Sequence, residues 1–192
     1  GCIKRKKCLS ISLSNKDIDF LLKIKEKLKS TSIIHTYKVK NSKRNVNWND
    51  TIKCEISITS DKICKDLLRF NITPRKTLTY SFPDWLKSHP LKHHFIRGYN
   101  DGDGCFYISK NNKTVKQLYF SLRGTESFLL SVREILEKEC LLNKRTSKIR
   151  ISSGCGILEY GGNNILLKIV NFLYNNSTIY MERKYKITCV LN

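Results

Sequence analysis

The stretch Phe95-Ile96-Arg97-Gly98-Tyr99-Asn100-Asp101-Gly102-Asp103-Gly104 decides how this chain is read. Pro90 to Tyr99 places Leu91, Phe95, Ile96 and Tyr99 on one face of a helix, with Pro90 suited to a first helical position. Gly98 and Gly102, four apart, permit close backbone approach to a similar helix, and Gly102 and Gly104 let the chain turn tightly afterwards. Asp101 and Asp103 put carboxylates at that turn, where a hard divalent cation could be shared with phosphate oxygens. On Asp-Gly-Asp-Gly alone, a plain turn after a helix stays open beside the metal site. A calcium loop does not: its fifth, sixth and twelfth positions would be Cys105, Phe106 and Asn112, where Asp or Asn, Gly and an acid are needed.

Working outward, the chain is written twice. Gly1-Cys2-Ile3 leads to the alternating run Leu9 to Ser14 and an amphipathic stretch from Lys16 to Lys29. Gly104-Cys105-Phe106 leads to Leu118 to Arg123 and a helical stretch from Glu126 to Leu141. There Phe128, Leu129, Val132, Ile135, Leu136 and Cys140 share one face at helical spacing. Strand pairs follow at Ile33 to Lys40 with Lys53 to Thr59, and at Lys148 to Ser152 with Ile157 to Tyr160. Short helices come next at Lys62 to Phe70 and Asn164 to Tyr174, and the halves close on Arg75-Lys76 and Arg183-Lys184. The expectation is an α+β chain of two similar halves, residues 1–89 and 90–192. The helix of residues 90–99 has no counterpart ahead of the first half.

The formal net charge of +20, from 36 Lys and Arg against 16 Asp and Glu, points to a polyanionic partner, with nucleic acid ahead of an anionic membrane. No run of about 18 apolar residues offers a membrane span. The basic start Lys4-Arg5-Lys6-Lys7 lacks the apolar region of a secretory signal, so an intracellular protein is expected, in cytoplasm or organelle. Eight cysteines contain no C-x-x-C pair and the four His do not follow at ligand spacing, which argues for reduced, mostly buried thiols.

Ile96-Arg97-Gly98-Tyr99-Asn100-Asp101-Gly102-Asp103-Gly104 resembles the motif that names the LAGLIDADG homing endonucleases. The Phe-Ile-Arg-Gly-Tyr lead-in, the ending Ile72-Thr-Pro-Arg-Lys76 and the stretch Thr178 to Tyr185 resemble the same family, so the likeness covers nearly the whole chain. It implies two αββαββα repeats packed through motif helices at Gly98 and Gly102 on a pseudo-twofold axis. Their sheets would form a saddle on the major groove of double-stranded DNA, which admits a two-stranded ribbon. Asp103 would bind Mg²⁺ or Mn²⁺, which activates water and stabilises the leaving oxygen. Asn15, Lys76 and Lys184 are the candidate helpers, with a phosphate contact or solvated surface the plainer alternative for each. Gly124 stands where Asn15 would be matched in the second repeat. Candidate DNA contacts are Lys4, Lys6, Tyr37, Lys38, Lys40, Lys43, Arg44, Lys110, Lys113, Lys116, Arg123, Lys148 and Arg150, most of them expected on phosphates.

If Gly1 corresponds to Gly104, the acidic partner of Asp103 would lie just before residue 1, on an absent first motif helix. The expected consequences are an uncovered apolar face at Leu91, Phe95 and Tyr99 and self-association through it. A fragment of a two-site endonuclease, a decayed remnant and a pair of chains rebuilding two sites are the three explanations. Three functions follow: a site-specific endonuclease from a mobile intron or intein, a non-cleaving binder such as an intron RNA maturase, or an inactive remnant. Protein splicing by this chain is not supported, since Thr188-Cys-Val-Leu-Asn192 lacks a His-Asn pair.

Overall fold

Apolar and polar side chains alternate along Leu9-Ser-Ile-Ser-Leu-Ser14, and with a period of two they must point to opposite faces of a strand. The computed structural model describes residues 1–4, 7–40, 51–109, 117–143, 147–152 and 155–191. They fall into two compact units, Gly1–Arg75 and Lys76–Asn192.

The first unit runs β1 (Cys2–Lys4), β2 (Cys8–Ser14), α1 (Ile18–Lys27), β3 (Ile34–Val39), β4 (Thr51–Thr59) and α2 (Asp61–Leu68). Its sheet is antiparallel in the order β1-β2-β4-β3. Leu9, Ile11 and Leu13 pair with Ile58, Ile56 and Cys54, so one face is apolar. On that face Leu21 of α1 is fully buried with Cys54 and Ile56, and Ile18, Ile34 and Ile63 pack around them. Ser60 starts α2, its Oγ accepting from the Ile63 amide at 3.2 Å, a cap that contributes about 1 kcal/mol.

The second unit contains α3 (Asp84–Lys87), α4 (Lys92–Asp103), β5 (Gly104–Ile108), β6 (Leu118–Gly124), α5 (Glu126–Glu139), β7 (Ser147–Ser152), β8 (Cys155–Gly161), α6 (Asn163–Tyr174) and α7 (Glu182–Thr188). Its sheet repeats the first topology as β5-β6-β8-β7. Phe106, Leu118, Phe120, Leu122, Leu158 and Tyr160 face Phe128, Leu129, Val132 and Leu136 of α5 and Leu166, Ile169 and Leu173 of α6, all buried. Thr125 caps α5, its Oγ1 accepting from the Phe128 amide at 3.3 Å.

Registers show how closely the halves correspond. Cys2 pairs with Ser10 and Cys105 with Ser121, so Gly1 and Gly104 hold the same place in their sheets. The Ser60 amide donates to Lys7 O, and the Gly162 amide to Leu118 O. These matches set Leu13 opposite Gly124 in the comparison and Asn15 opposite Glu126; the expected correspondence of Asn15 with Gly124 is two residues out.

Two local expectations change. Pro90 lies in the turn before α4, whose helix starts at Lys92 and continues through Asp103, so Asp101-Gly102-Asp103 is helix rather than turn. Residues 76–89, read from sequence with the first half, pack into the second unit: Phe82 stacks on Phe128, Tyr80 lies tilted against it, and Phe82 meets Phe95 edge-on at 5.2 Å.

Candidate active site and nucleic-acid faces

A helix leaves its last four carbonyls without partners inside the helix. At the end of α4 two of them, Asn100 O and Asp101 O, are met from far along the chain. The buried Lys184 Nζ donates to Asn100 O and Asp101 O at 2.7 Å and to Gly104 O at 2.6 Å, which uses all three of its protons. Burial pushes its pKa down, and the nearby Asp101 carboxylate acts against that shift. Asp101 is itself 1% exposed, and its Oδ2 accepts from the Met181 amide at 3.3 Å. One turn earlier the buried Arg97 donates to Ile179 O at 3.2 Å and Leu173 O at 3.1 Å and meets His94 Nδ1. Burial, then the charges of His93 and Arg97, lower the His94 pKa.

This separates the two aspartates and gives Lys184 a structural place. A helical repeat turns Asp101 into the protein and leaves Asp103 exposed, so of the two only Asp103 presents its carboxylate to solvent. Lys184 is a cap on the helix end, with no proton left for a substrate or water. Gly104 shows how tight that end is: an added Cβ would stand 2.2 Å from Asn100 Oδ1 and 2.8 Å from Leu122 Cδ1.

Asp103 is therefore the one motif carboxylate that faces solvent. Among the described residues no group of three His, Cys, Asp or Glu is placed to hold a metal. A single hard carboxylate still fits Mg²⁺, which keeps several waters and takes its other ligands from substrate phosphates.

The helpers are placed differently. Lys76 lies over the Tyr80 ring, 5.2 Å from its centroid, and Tyr80 stacks on Tyr99 at 5.8 Å and 6°. Tyr99 donates to Arg123 O at 3.0 Å. Burial, with a smaller contribution from Asp103, raises its pKa. Aromatic packing thus brings Lys76 to the motif helix. Asn15 opens a 3₁₀ turn of the first unit. Phe95 and Tyr99, expected to lie uncovered, pack on Phe82, Tyr80 and Phe128; Leu91, Gly98 and Gly102 are the exposed strip. An added Cβ at either glycine meets nothing within 4 Å.

The faces opposite the two cores are polar. In the first unit Lys4, Ser10, Ser12, Tyr37 and Glu55 share that face, and Tyr37 pairs with Lys53. Lys38 pairs with Ile52 and so belongs to the opposite face, while Lys40 is exposed just beyond β3. In the second unit Tyr107, Tyr119, Ser121, Arg123, Arg150 and Glu159 share the polar face, and Lys148 holds a register position on it opposite Glu159. Lys6, Lys43, Arg44, Lys110, Lys113 and Lys116 lie outside the described residues.

Arg97, Glu55 and Glu159 escaped sequence reading. Arg97 left one signal, a charge on the inward side of an otherwise apolar helical stretch; Glu55 and Glu159 left one too, acids inside alternating basic strands. Three of the cysteines expected to be mostly buried, Cys2, Cys105 and Cys189, are exposed, against three buried, Cys54, Cys64 and Cys140. No helix among the described residues is long and apolar enough to cross a membrane.

Two β-β-α-β-β-α units, the second opened by a helix that ends on an exposed aspartate, are the fold of the LAGLIDADG meganucleases. The chain is similar to the homing endonuclease I-WcaI bound to its DNA recognition sequence, with TM-score 0.57 and 18% identity over 96% of this chain and 78% of that one. It is similar also to the meganuclease I-SmaMI bound to uncleaveable DNA (TM-score 0.55, 15% identity, 95% and 78% covered) and to the LAGLIDADG meganuclease I-CpaMI bound to uncleaved DNA (0.55, 16%, 93% and 77%). No family model and no curated protein matches the chain.

Proposed function

We propose that this chain binds double-stranded DNA on the polar faces of its two sheets and belongs to a divalent-metal-dependent homing endonuclease. The observation that supports this best is the end of α4: three distant buried groups, Lys184, Arg97 and the Met181 amide, hold a helix terminus whose outward product is the Asp103 carboxylate. Asp103 would take one position on Mg²⁺ or Mn²⁺, and the metal would supply an activated water and charge stabilisation at the phosphodiester. Lys76 and Asn15 remain the proposed polar helpers, while Lys184 positions the helix end. Leu91, Gly98 and Gly102 form the strip against which a further motif helix, or that of a second copy, would pack.

A second reading rests on Tyr107 and Tyr119, whose rings stack at 5.2 Å and 12° on the polar face of the second sheet. Stacked aromatics on a four-stranded sheet, Tyr107 exposed and Tyr119 partly so, suit unpaired RNA bases, as an intron RNA maturase would need.

Fluorescence anisotropy with a labelled duplex, across a salt series, tests the first reading. Affinity should fall by about 0.9 log units per log unit of salt for each phosphate neutralised. Plasmid cleavage on adding Mg²⁺, lost in Asp103→Asn, would establish the nuclease; salt-insensitive binding would refute the DNA reading. Tighter binding to a structured RNA than to duplex in direct competition would favour the maturase.

A further inference from the structure

A chain with 36 basic and 16 acidic residues nevertheless sets a glutamate on the central strand β4 or β8 of each polar face, where a phosphate backbone would be repelled. Both are built in. Glu55 Oε1 accepts from Lys4 Nζ and Ser10 Oγ at 2.8 Å and from Ser57 Oγ at 3.3 Å, and Oε2 accepts from Tyr37 Oη at 3.1 Å. Glu159 Oε2 accepts from Tyr107 Oη at 2.9 Å, and Oε1 from Arg150 Nη2 at 3.2 Å. Each glutamate therefore joins the two edge strands of its sheet through one cation and one phenol. In the first sheet the cation comes from β1 and the phenol from β3; in the second the phenol comes from β5 and the cation from β7.

The two carboxylates are not register equivalents: Glu55 pairs with Ser12, whereas Glu159 pairs with Ser121, the counterpart of Ser10. The same device thus stands at two different positions. Its occupancy differs as well. A carboxylate offers roughly four acceptor positions; described side chains fill four at Glu55 and two at Glu159. Arg150 spends one of its five donors on Glu159, and its side chain is 65% exposed. Among the described side chains, Glu55 meets four donors and Glu159 only two, the latter beside an exposed guanidinium hydrogen-bonded to it.

Resting on the duplex-binding reading above, we infer that Arg150 and Glu159 together read one C·G base pair in the major groove. Arg150 donates to guanine O6 and N7, and Glu159 accepts from the cytosine N4 amino group. Both edges belong to the same base pair, and only C·G presents two acceptors beside one donor in that pattern. Tyr107 fixes the second carboxylate oxygen.

The test is selection of the whole chain on a randomised duplex pool, with sequencing of the bound fraction. The wild-type chain should enrich C·G at one position. Glu159→Gln should lower that preference about tenfold or more, leave other positions unchanged, and leave affinity for unrelated duplex equal or higher. Glu55→Gln, the control, should change no single position. Circular dichroism establishes whether Glu159→Gln is folded; if it is not, Arg150→Gln, altered at an exposed side chain, should lose preference at the same base pair. A Glu159→Gln profile identical to wild type, or one altered evenly at all positions, overturns the assignment while duplex binding stands. So does wild-type binding without base preference. No duplex binding at low salt overturns the underlying reading and this inference with it.

Discussion

Replacing Lys184 by Met keeps the length and the apolar stem of the side chain and removes only the ammonium. Three carbonyls at the end of α4, those of Asn100, Asp101 and Gly104, then lose donors at 2.6–2.7 Å. A hydrogen bond from a charged donor contributes about 1.5–3 kcal/mol, and a stranded buried acceptor costs about 1–3 kcal/mol. Against this, the folded protein no longer has to desolvate an ammonium, a penalty of several kcal/mol. We expect a net loss of about 3 kcal/mol from these opposing contributions. In a chain of this size that corresponds to roughly 6–12 °C in the melting transition of the second unit. The assay is thermal denaturation by circular dichroism, with Lys186→Met, an exposed lysine on the same helix, as the reference. A shift under about 2 °C relative to that reference would refute the capping role and return Lys184 to the candidates for substrate contact.

Three other outcomes follow. Asp103→Asn should leave the fold intact and stabilise it by about 0.3–1 kcal/mol, because a carboxylate opposes the negative end of the α4 dipole; urea titration reads this, and a destabilised variant would mean that Asp103 is structural. Gly104→Ala should cost about 1–3 kcal/mol from the clash with Asn100 and Leu122, whereas Gly102→Ala, which meets open space in a helix, should gain roughly 0.5–1 kcal/mol; comparable melting temperatures for the two would contradict the packing described. The hydrogen bond from Lys4, then those from Ser10 and Tyr37, lower the Glu55 pKa from 4.5 to about 2. The unfolded carboxylate takes up its proton first, so this stability is present above pH 4.5 and is lost as pH falls towards 2. Glu55→Gln should flatten the acid unfolding curve of the first unit in that window, and an unchanged curve would refute the coupling.

The strands and helices were legible because each has one buried face, and burial writes a period into the sequence. The run Leu9 to Ser14 and the stripe from Phe128 to Cys140 are read from such periods alone. The motif helix was legible to Tyr99 and not beyond, because two glycines and two aspartates look like a turn until a partner for their carbonyls is known. That partner is Lys184, more than eighty residues later, and local pattern holds no record of it. The same holds for Arg97, whose acceptors are carbonyls of residues 173 and 179. Candidate DNA contacts were chosen by charge, which ignores the pleat: Tyr37 and Lys38 are neighbours in sequence and point to opposite faces. Asp103 was singled out by its motif alone, and the fold leaves it exposed at the end of α4. The roles of Lys76 and Lys184 were not legible, since an Arg-Lys pair reads alike in a 3₁₀ turn and in α7.

The cap on α4 also imposes an order on biosynthesis. The carbonyls of Asn100, Asp101 and Gly104 leave the ribosome 80 to 84 residues ahead of the ammonium that satisfies them. Contacts of the first unit, by contrast, close within its own 75 residues. The first sheet can therefore settle during translation, while the helix bearing Asp103 waits for nearly the whole second unit. Until α7 emerges, its end stays unfastened and its aspartate is not yet held in place. A nascent chain stalled before Lys184 would hold a folded first sheet and no organised Asp103 carboxylate.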